Sequence, residues 1–139
     1  AAAVQYMVII DLCCRTNMNE KCRAGYPVVH PNVSSGTAMV VELQMTCALV
    51  LVILNVATTK AQENNSFFGL AIGMTVTASA IAAGNVSGGA FNPVVGIVLP
   101  FAATGFGGLV DSWVYVVGPM LGSITAAFFF RVMNPAEYE

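Results

Sequence analysis

A chain of 139 residues with 57% apolar and only 9% charged side chains carries far less charge than a soluble domain, for which about 25% is usual. A formal net charge of -2 excludes the cationic surface that a nucleic-acid-binding domain or a polybasic membrane anchor needs. With a mean hydropathy of +0.76, the class implied is a polytopic membrane protein.

Residues 1–12 begin without Met, at Ala1-Ala2-Ala3-Val4, and stay apolar except for Gln5 until Asp11 and Arg15 stop the run. There is no basic region of the kind that opens a signal peptide. These residues read as the end of a span whose beginning is absent, so the chain is expected to be a fragment or a processed product. Residues 13–37 form the most polar stretch, with Arg15, Glu20, Lys21 and Arg23 followed by Pro27 and Pro31. They read as a loop outside the hydrocarbon.

Cys14 and Cys22 would be able to close a loop disulfide in an oxidising compartment. Free thiols are the default for Cys13, Cys14, Cys22 and Cys47. No zinc site is expected, because the single His30 is distant and no CxxC spacing occurs. Asn32-Val33-Ser34 fits a glycosylation sequon, but such triplets are common by chance and the default reading is plain loop residues. His30 reads most simply as a loop histidine.

The first complete span is expected over 38–59, entered at Thr37, where Leu43 to Thr59 carries no charge. Glu42 near its entrance is expensive in lipid. It either faces the protein interior with hydrogen-bond partners or sits at the interface. Asn55 is either an interhelical donor or a boundary residue. A polar turn at Lys60, Gln62, Glu63 and Asn64 leads to a second span over 66–83. Gly69 and Gly73, with Thr75, Thr77 and Ser79, suggest a closely packed interior helix.

The chain then returns through Gly84-Asn85-Val86-Ser87-Gly88-Gly89 to Asn92-Pro93. Asn is a preferred N-cap and Pro is best tolerated at the first helical position. The helix expected over 93–101, closed off by Pro100 and the Ala103-Thr104-Gly105-Phe106-Gly107-Gly108 segment, is too short to cross roughly 30 Å of hydrocarbon. Irregular backbone at that depth survives only when buried in protein or lining water. The pattern implies a re-entrant half-helix whose positive end points into a polar path. The last span is expected over 112–133, with Trp113 and Tyr115 as interface anchors and Gly118, Gly122 and Ala126 as a small-residue face.

Four motifs in order carry a resemblance to the aquaporin, or major intrinsic protein, family. They are Glu42 entering a span, Leu70-Ala71-Ile72-Gly73, Gly89-x-x-Asn92-Pro93-Val94, and Trp113-x-x-x-Val117-Gly118-Pro119-x-x-Gly122. The match covers 38–133 and resembles the second half of the family fold. The resemblance implies an all-α membrane protein holding the C-terminal inverted repeat. In it, 1–12 ends the third span, 13–37 is a loop, 38–59, 66–83 and 112–133 are the fourth, fifth and sixth spans, and 93–101 is the half-helix.

The same resemblance assigns roles. Asn92, Pro93 and Val94 would be the pore signature, with Val94 where Ala is usual, and Glu42 would support the re-entrant loop. Ala80, Gly89 and Val95 would be the selectivity-filter positions, with Val95 standing where Arg is usual. Small or apolar residues there imply a wider, less polar ring than a water filter.

The function implied is passive passage of water or small neutral solutes of the glycerol, urea or ammonia type. The alternative is a non-conducting structural subunit that keeps the fold. A homotetramer, and an N-terminal half or partner chain to complete the pore, belong to the same implication. No enzyme is expected, since the spans hold no nucleophile–base pair. Cofactor, metal and nucleic acid are likewise not expected.

Overall fold

The computed structural model describes residues 26–137. The expected span end at 1–12, most of the polar loop, and Cys13, Cys14 and Cys22 lie outside the described residues. Every regular element among the described residues is helical.

Helix α1 (Ser35–Ala57) starts where Ser34 allows it. Ser34 is extended, and its side-chain oxygen accepts the Thr37 amide at 3.1 Å, satisfying one of the four orphan donors of a first turn. The helix therefore begins three residues before the expected 38. It ends at Ala57, and the Thr59 hydroxyl donates back to the Asn55 carbonyl at 2.7 Å.

One side chain then joins two helices. Asn65 Nδ2 donates to the carbonyls of Val56 and Gln62 at 2.6 and 2.7 Å, while its Oδ1 accepts the Phe68 amide at 2.9 Å. Asn65 thus closes the end of α1 and starts α2 (Phe68–Ala83). That fixes the start of α2 at Phe68 rather than 66. Sixteen residues give α2 about 24 Å, less than roughly 30 Å of hydrocarbon. Among the described residues, only α1 and the last helix, α4 (Ser112–Met133), are long and apolar enough to cross alone.

Between them, α3 (Pro93–Thr104) has 12 residues, or about 18 Å. It runs past the expected stop at 101, through Pro100. Proline removes one helix hydrogen bond, but the Thr104 hydroxyl donates to the Pro100 carbonyl at 3.0 Å, adding a bond just beyond the gap. The helix ends instead at Gly105, whose φ of 67° suits glycine.

Hydrogen bonds between helices fix their directions. Ser35 Oγ donates to Asp111 Oδ1 at 3.0 Å, joining the starts of α1 and α4. At the other end Lys60 N donates to Glu137 Oε1 at 3.0 Å, and Asn134 Nδ2 reaches Asn55 Oδ1 at 3.4 Å. Helices α1 and α4 are therefore parallel. Helix α2 starts beside Val56 and finishes where His30 N donates to Val86 O at 3.0 Å, so it runs back against α1. The segment from 84 to 111 thus leaves and returns on one side. It goes in and comes out again, which makes α3 re-entrant.

The parallel pair is close because of two glycines. A Cβ on Gly118 would lie 2.9 Å from Met39 O and from Glu42 Cβ, and one on Gly122 would collide with Leu43 O. Such approach matters in lipid, where packing rather than the hydrophobic effect holds helices together. Gly69 and Gly73 behave differently: nothing lies within 4 Å of a Cβ on either. The close packing expected of them is not made by the described residues. Together these features describe an integral, multi-pass membrane protein.

Candidate functional site

The turn that feeds α3 runs through left-handed backbone at Gly88 (φ 83°), Gly89 (φ 68°) and Phe91 (φ 51°). Glycine adopts this region freely, whereas a side chain such as that of Phe91 costs about 1–2 kcal/mol there. A Cβ on Gly88 would also lie 2.8 Å from the Pro27 Cα, so the strap before α1 can lie directly on the turn.

What holds Phe91 in this conformation is Glu42. Its Oε2 accepts the Phe91 amide at 2.7 Å, and its Oε1 accepts the Ala90 amide at 2.9 Å and the Ser87 hydroxyl at 2.7 Å. Glu42 is fully buried. Of the two readings of its sequence position, interior and interface, the structure has the interior one. Three donors on one carboxylate stabilise a loop that would otherwise leave two amides unpaired.

Asn92 caps α3 with its Oδ1, which accepts the Val94 amide at 2.9 Å. That leaves the two Nδ2 hydrogens without a partner among the described residues, on an exposed side chain. Pro93 follows at the first helical position. The half-helix therefore presents, at its positive end, one free side-chain donor.

Of the three expected filter positions, two meet. A Cβ on Gly89 would be 3.5 Å from Ala80 Cα and 3.1 Å from the Phe91 ring. Val95 is placed otherwise: it is half-buried against the cluster of Val29, Ala38, Ala90, Val114 and Tyr115. Val94 is on the open side, 64% exposed.

Sequence reasoning passed over three residues of this site. Ser87 lies in the stretch leading to Asn92-Pro93, where nothing local marks its side chain. Phe91 had no visible signal. Tyr115 was expected as an interface anchor beside Trp113, and that is corrected: it is 2% exposed, and its hydroxyl donates to the Ser87 carbonyl at 2.6 Å. A buried tyrosine in an apolar helix must find a partner for its hydroxyl, and the turn provides it. Trp113 is 47% exposed.

A helical membrane protein whose chain dips partway in and returns, around a buried carboxylate, has the architecture used at solute-selecting sites of channels and carriers. Residues 1–130 match the model of the major intrinsic protein family, and the chain belongs to that family. It is 42% identical over 107 residues to "Glycerol uptake facilitator protein-like 6" of Lactiplantibacillus plantarum, covering 77% of this chain and 49% of that protein. It is 33% identical over 107 residues to "Probable aquaporin NIP-type" of Nicotiana alata, covering 77% of this chain and 38% of that protein. It is 31% identical over 117 residues to "Aquaporin A" of Dictyostelium discoideum, covering 83% and 41%. The chain thus spans about half the length, or less, of these relatives.

Proposed function

We propose that this chain forms half of a passive channel for water or small neutral solutes, with the passage running past Asn92. The observation that carries the reading is the division of labour within one side chain. Asn92 Oδ1 is used to cap α3 at the Val94 amide, while its Nδ2 stays available to a solute oxygen. The end of a half-helix also carries about half a positive charge, which disfavours cations in the same path.

The passing solute is proposed to be of the glycerol, urea or ammonia type as well as water. The relatives named as a glycerol uptake facilitator-like protein and as aquaporins support this, as does the lack of bulk at Ala80 and Gly89. A second half-helix, supplied by further residues of the protein or by a partner chain, completes the pore, and the assembly is proposed to be a homotetramer. The pore residues are Asn92, Pro93 and Val94, with Ala80, Gly89 and Val95 at the filter positions and Glu42 supporting the loop.

A second reading is a non-conducting subunit that keeps the fold. It is favoured by Val95, which packs into the apolar cluster and brings no polar group to the narrowest ring. Stopped-flow light scattering on proteoliposomes holding the complete protein separates the two. Water, glycerol or urea flux above that of empty vesicles supports the channel. Flux equal to that of empty vesicles for all three leaves the structural subunit.

A further inference from the structure

We infer that Tyr115 is a positioning residue: it sets the angle between the 84–92 turn and α3, and so the direction in which Asn92 offers its amide. The inference deepens the channel reading and rests on it. Tyr115 touches the chain on both sides of Asn92. Five residues before it, the Tyr115 hydroxyl donates to the Ser87 carbonyl at 2.6 Å. Four residues after it, the ring fills the notch at Gly96, where a Cβ would lie 2.5 Å from Tyr115 Cγ. One rigid side chain on α4 thus spans the junction between turn and half-helix.

The grip is separate from that of Glu42. Ser87 is held at two ends, its hydroxyl by Glu42 on α1 and its carbonyl by Tyr115 on α4. Glu42 takes the two amides just before Asn92, and its hydrogen bonds among the described residues end at Phe91. Of the two, Tyr115 is the one that reaches α3, at Gly96. Ser87 is fully buried, so a carbonyl released there has no water to turn to. The turn would shift until it found another donor, carrying Asn92 with it.

The test compares the complete wild-type protein with Tyr115→Phe, which keeps the ring against Gly96 and removes only the hydroxyl. Ser123→Ala is the control. It removes the 2.8 Å bond from Ser123 Oγ to Pro119 O on the same helix, away from the turn. Two readouts are taken in proteoliposomes: amide hydrogen exchange, and the ratio of glycerol to water permeability. Loss of folded protein scales both permeabilities together and leaves the ratio alone.

In Tyr115→Phe, the amides of Gly89, Ala90 and Phe91 are expected to exchange roughly five- to tenfold faster. Those of α1 stay as in wild type, and the permeability ratio shifts by about twofold or more. Ser123→Ala changes neither. Unchanged exchange in the turn overturns the inference whatever the ratio does. So does faster exchange with an unchanged ratio in a conducting protein. Uniformly faster exchange across α1 and α4 overturns it too, because Tyr115 would then serve the fold in general. If the wild type passes no solute, the channel reading fails by itself, and the exchange comparison still decides the grip.

Discussion

Glu42 and Ser87, 45 residues apart in the chain, meet through a buried 2.7 Å hydrogen bond from hydroxyl to carboxylate. With the Ala90 and Phe91 amides on the same carboxylate, the pair couples a membrane-spanning helix to the turn that starts the half-helix. Glu42→Gln offers one oxygen where two were used, so at least one of three buried donors faces an N–H. The expected loss is about 2–4 kcal/mol, from a weakened charge-assisted bond and an unpaired donor. Ser87→Ala removes the bond to Glu42 and the 3.3 Å bond the same oxygen accepts from the Gly89 amide, and costs about 1–2 kcal/mol. Thermal unfolding of the purified protein, read as the midpoint of each variant, checks the order. Equal midpoints for Glu42→Gln and wild type would show that the turn holds without the carboxylate.

Asn92 caps α3 with one atom and, in the proposed channel, offers the other to solute; substitutions separate the two. Asn92→Asp keeps an oxygen for the Val94 amide and so keeps the cap, but it removes the donor and adds a negative charge. Stability is expected to stay within about 0.5 kcal/mol of wild type, while cations begin to leak. Asn92→Ala loses the cap as well and costs about 1 kcal/mol. A voltage-sensitive dye in potassium-loaded proteoliposomes reads the leak. An Asn92→Asp protein that is as cation-tight and as solute-permeable as wild type would move Asn92 away from the path.

The glycines of α4 and α2 call for opposite expectations. Gly122→Ala drives a methyl group into Leu43 O and to within 3.1 Å of Cys47 N. Helices α1 and α4 must part, at a cost of about 1–3 kcal/mol. Gly96→Ala meets the Tyr115 side chain and is expected to cost about as much. Gly73→Ala meets nothing within 4 Å among the described residues, so these residues predict no loss. A stability loss there in the complete protein would identify α2 as a docking face for elements beyond 26–137. Detergent-resistant folded yield, measured side by side, ranks the three.

What was legible in the sequence was what local chemistry dictates. Asn92-Pro93 announces a helix start, and the uncharged stretches announce spans, because each depends only on neighbouring residues. The family was legible from four short motifs in order, and the family match over 1–130 bears that out. What sequence could not give was who meets whom across the fold. Tyr115 looks like an anchor by its position at the start of an apolar helix. Only the parallel packing of α1 and α4 carries its hydroxyl to Ser87, 28 residues away. Gly69 and Gly118 belong to similar small-residue patterns, yet among the described residues one meets nothing within 4 Å and the other meets a backbone. Pro100 and the 103–108 segment read together as the stop after 101, but the helix continues through Pro100 and ends at Thr104, before Gly105.

Ala80 gives the sharpest test of solute size. Its Cα lies 3.5 Å from where a Cβ on Gly89 would be, so neither residue contributes more than a methyl group to the space between them. Gly89 itself is a poor place to add bulk, because its φ of 68° would strain any side chain. Ala80 is helical and half-buried, so it accepts a larger residue without a backbone penalty of that kind. Ala80→His places a ring with hydrogen-bonding capacity beside Gly89 and narrows the gap. Glycerol permeability is expected to fall about tenfold or more, corresponding to about 1.4 kcal/mol of added barrier, with water permeability falling much less. Stopped-flow measurements on matched proteoliposomes give both numbers from one preparation. Equal falls for the two solutes would mean that histidine damages the folded protein rather than its passage, and Ala80 would then lose its assignment to the filter.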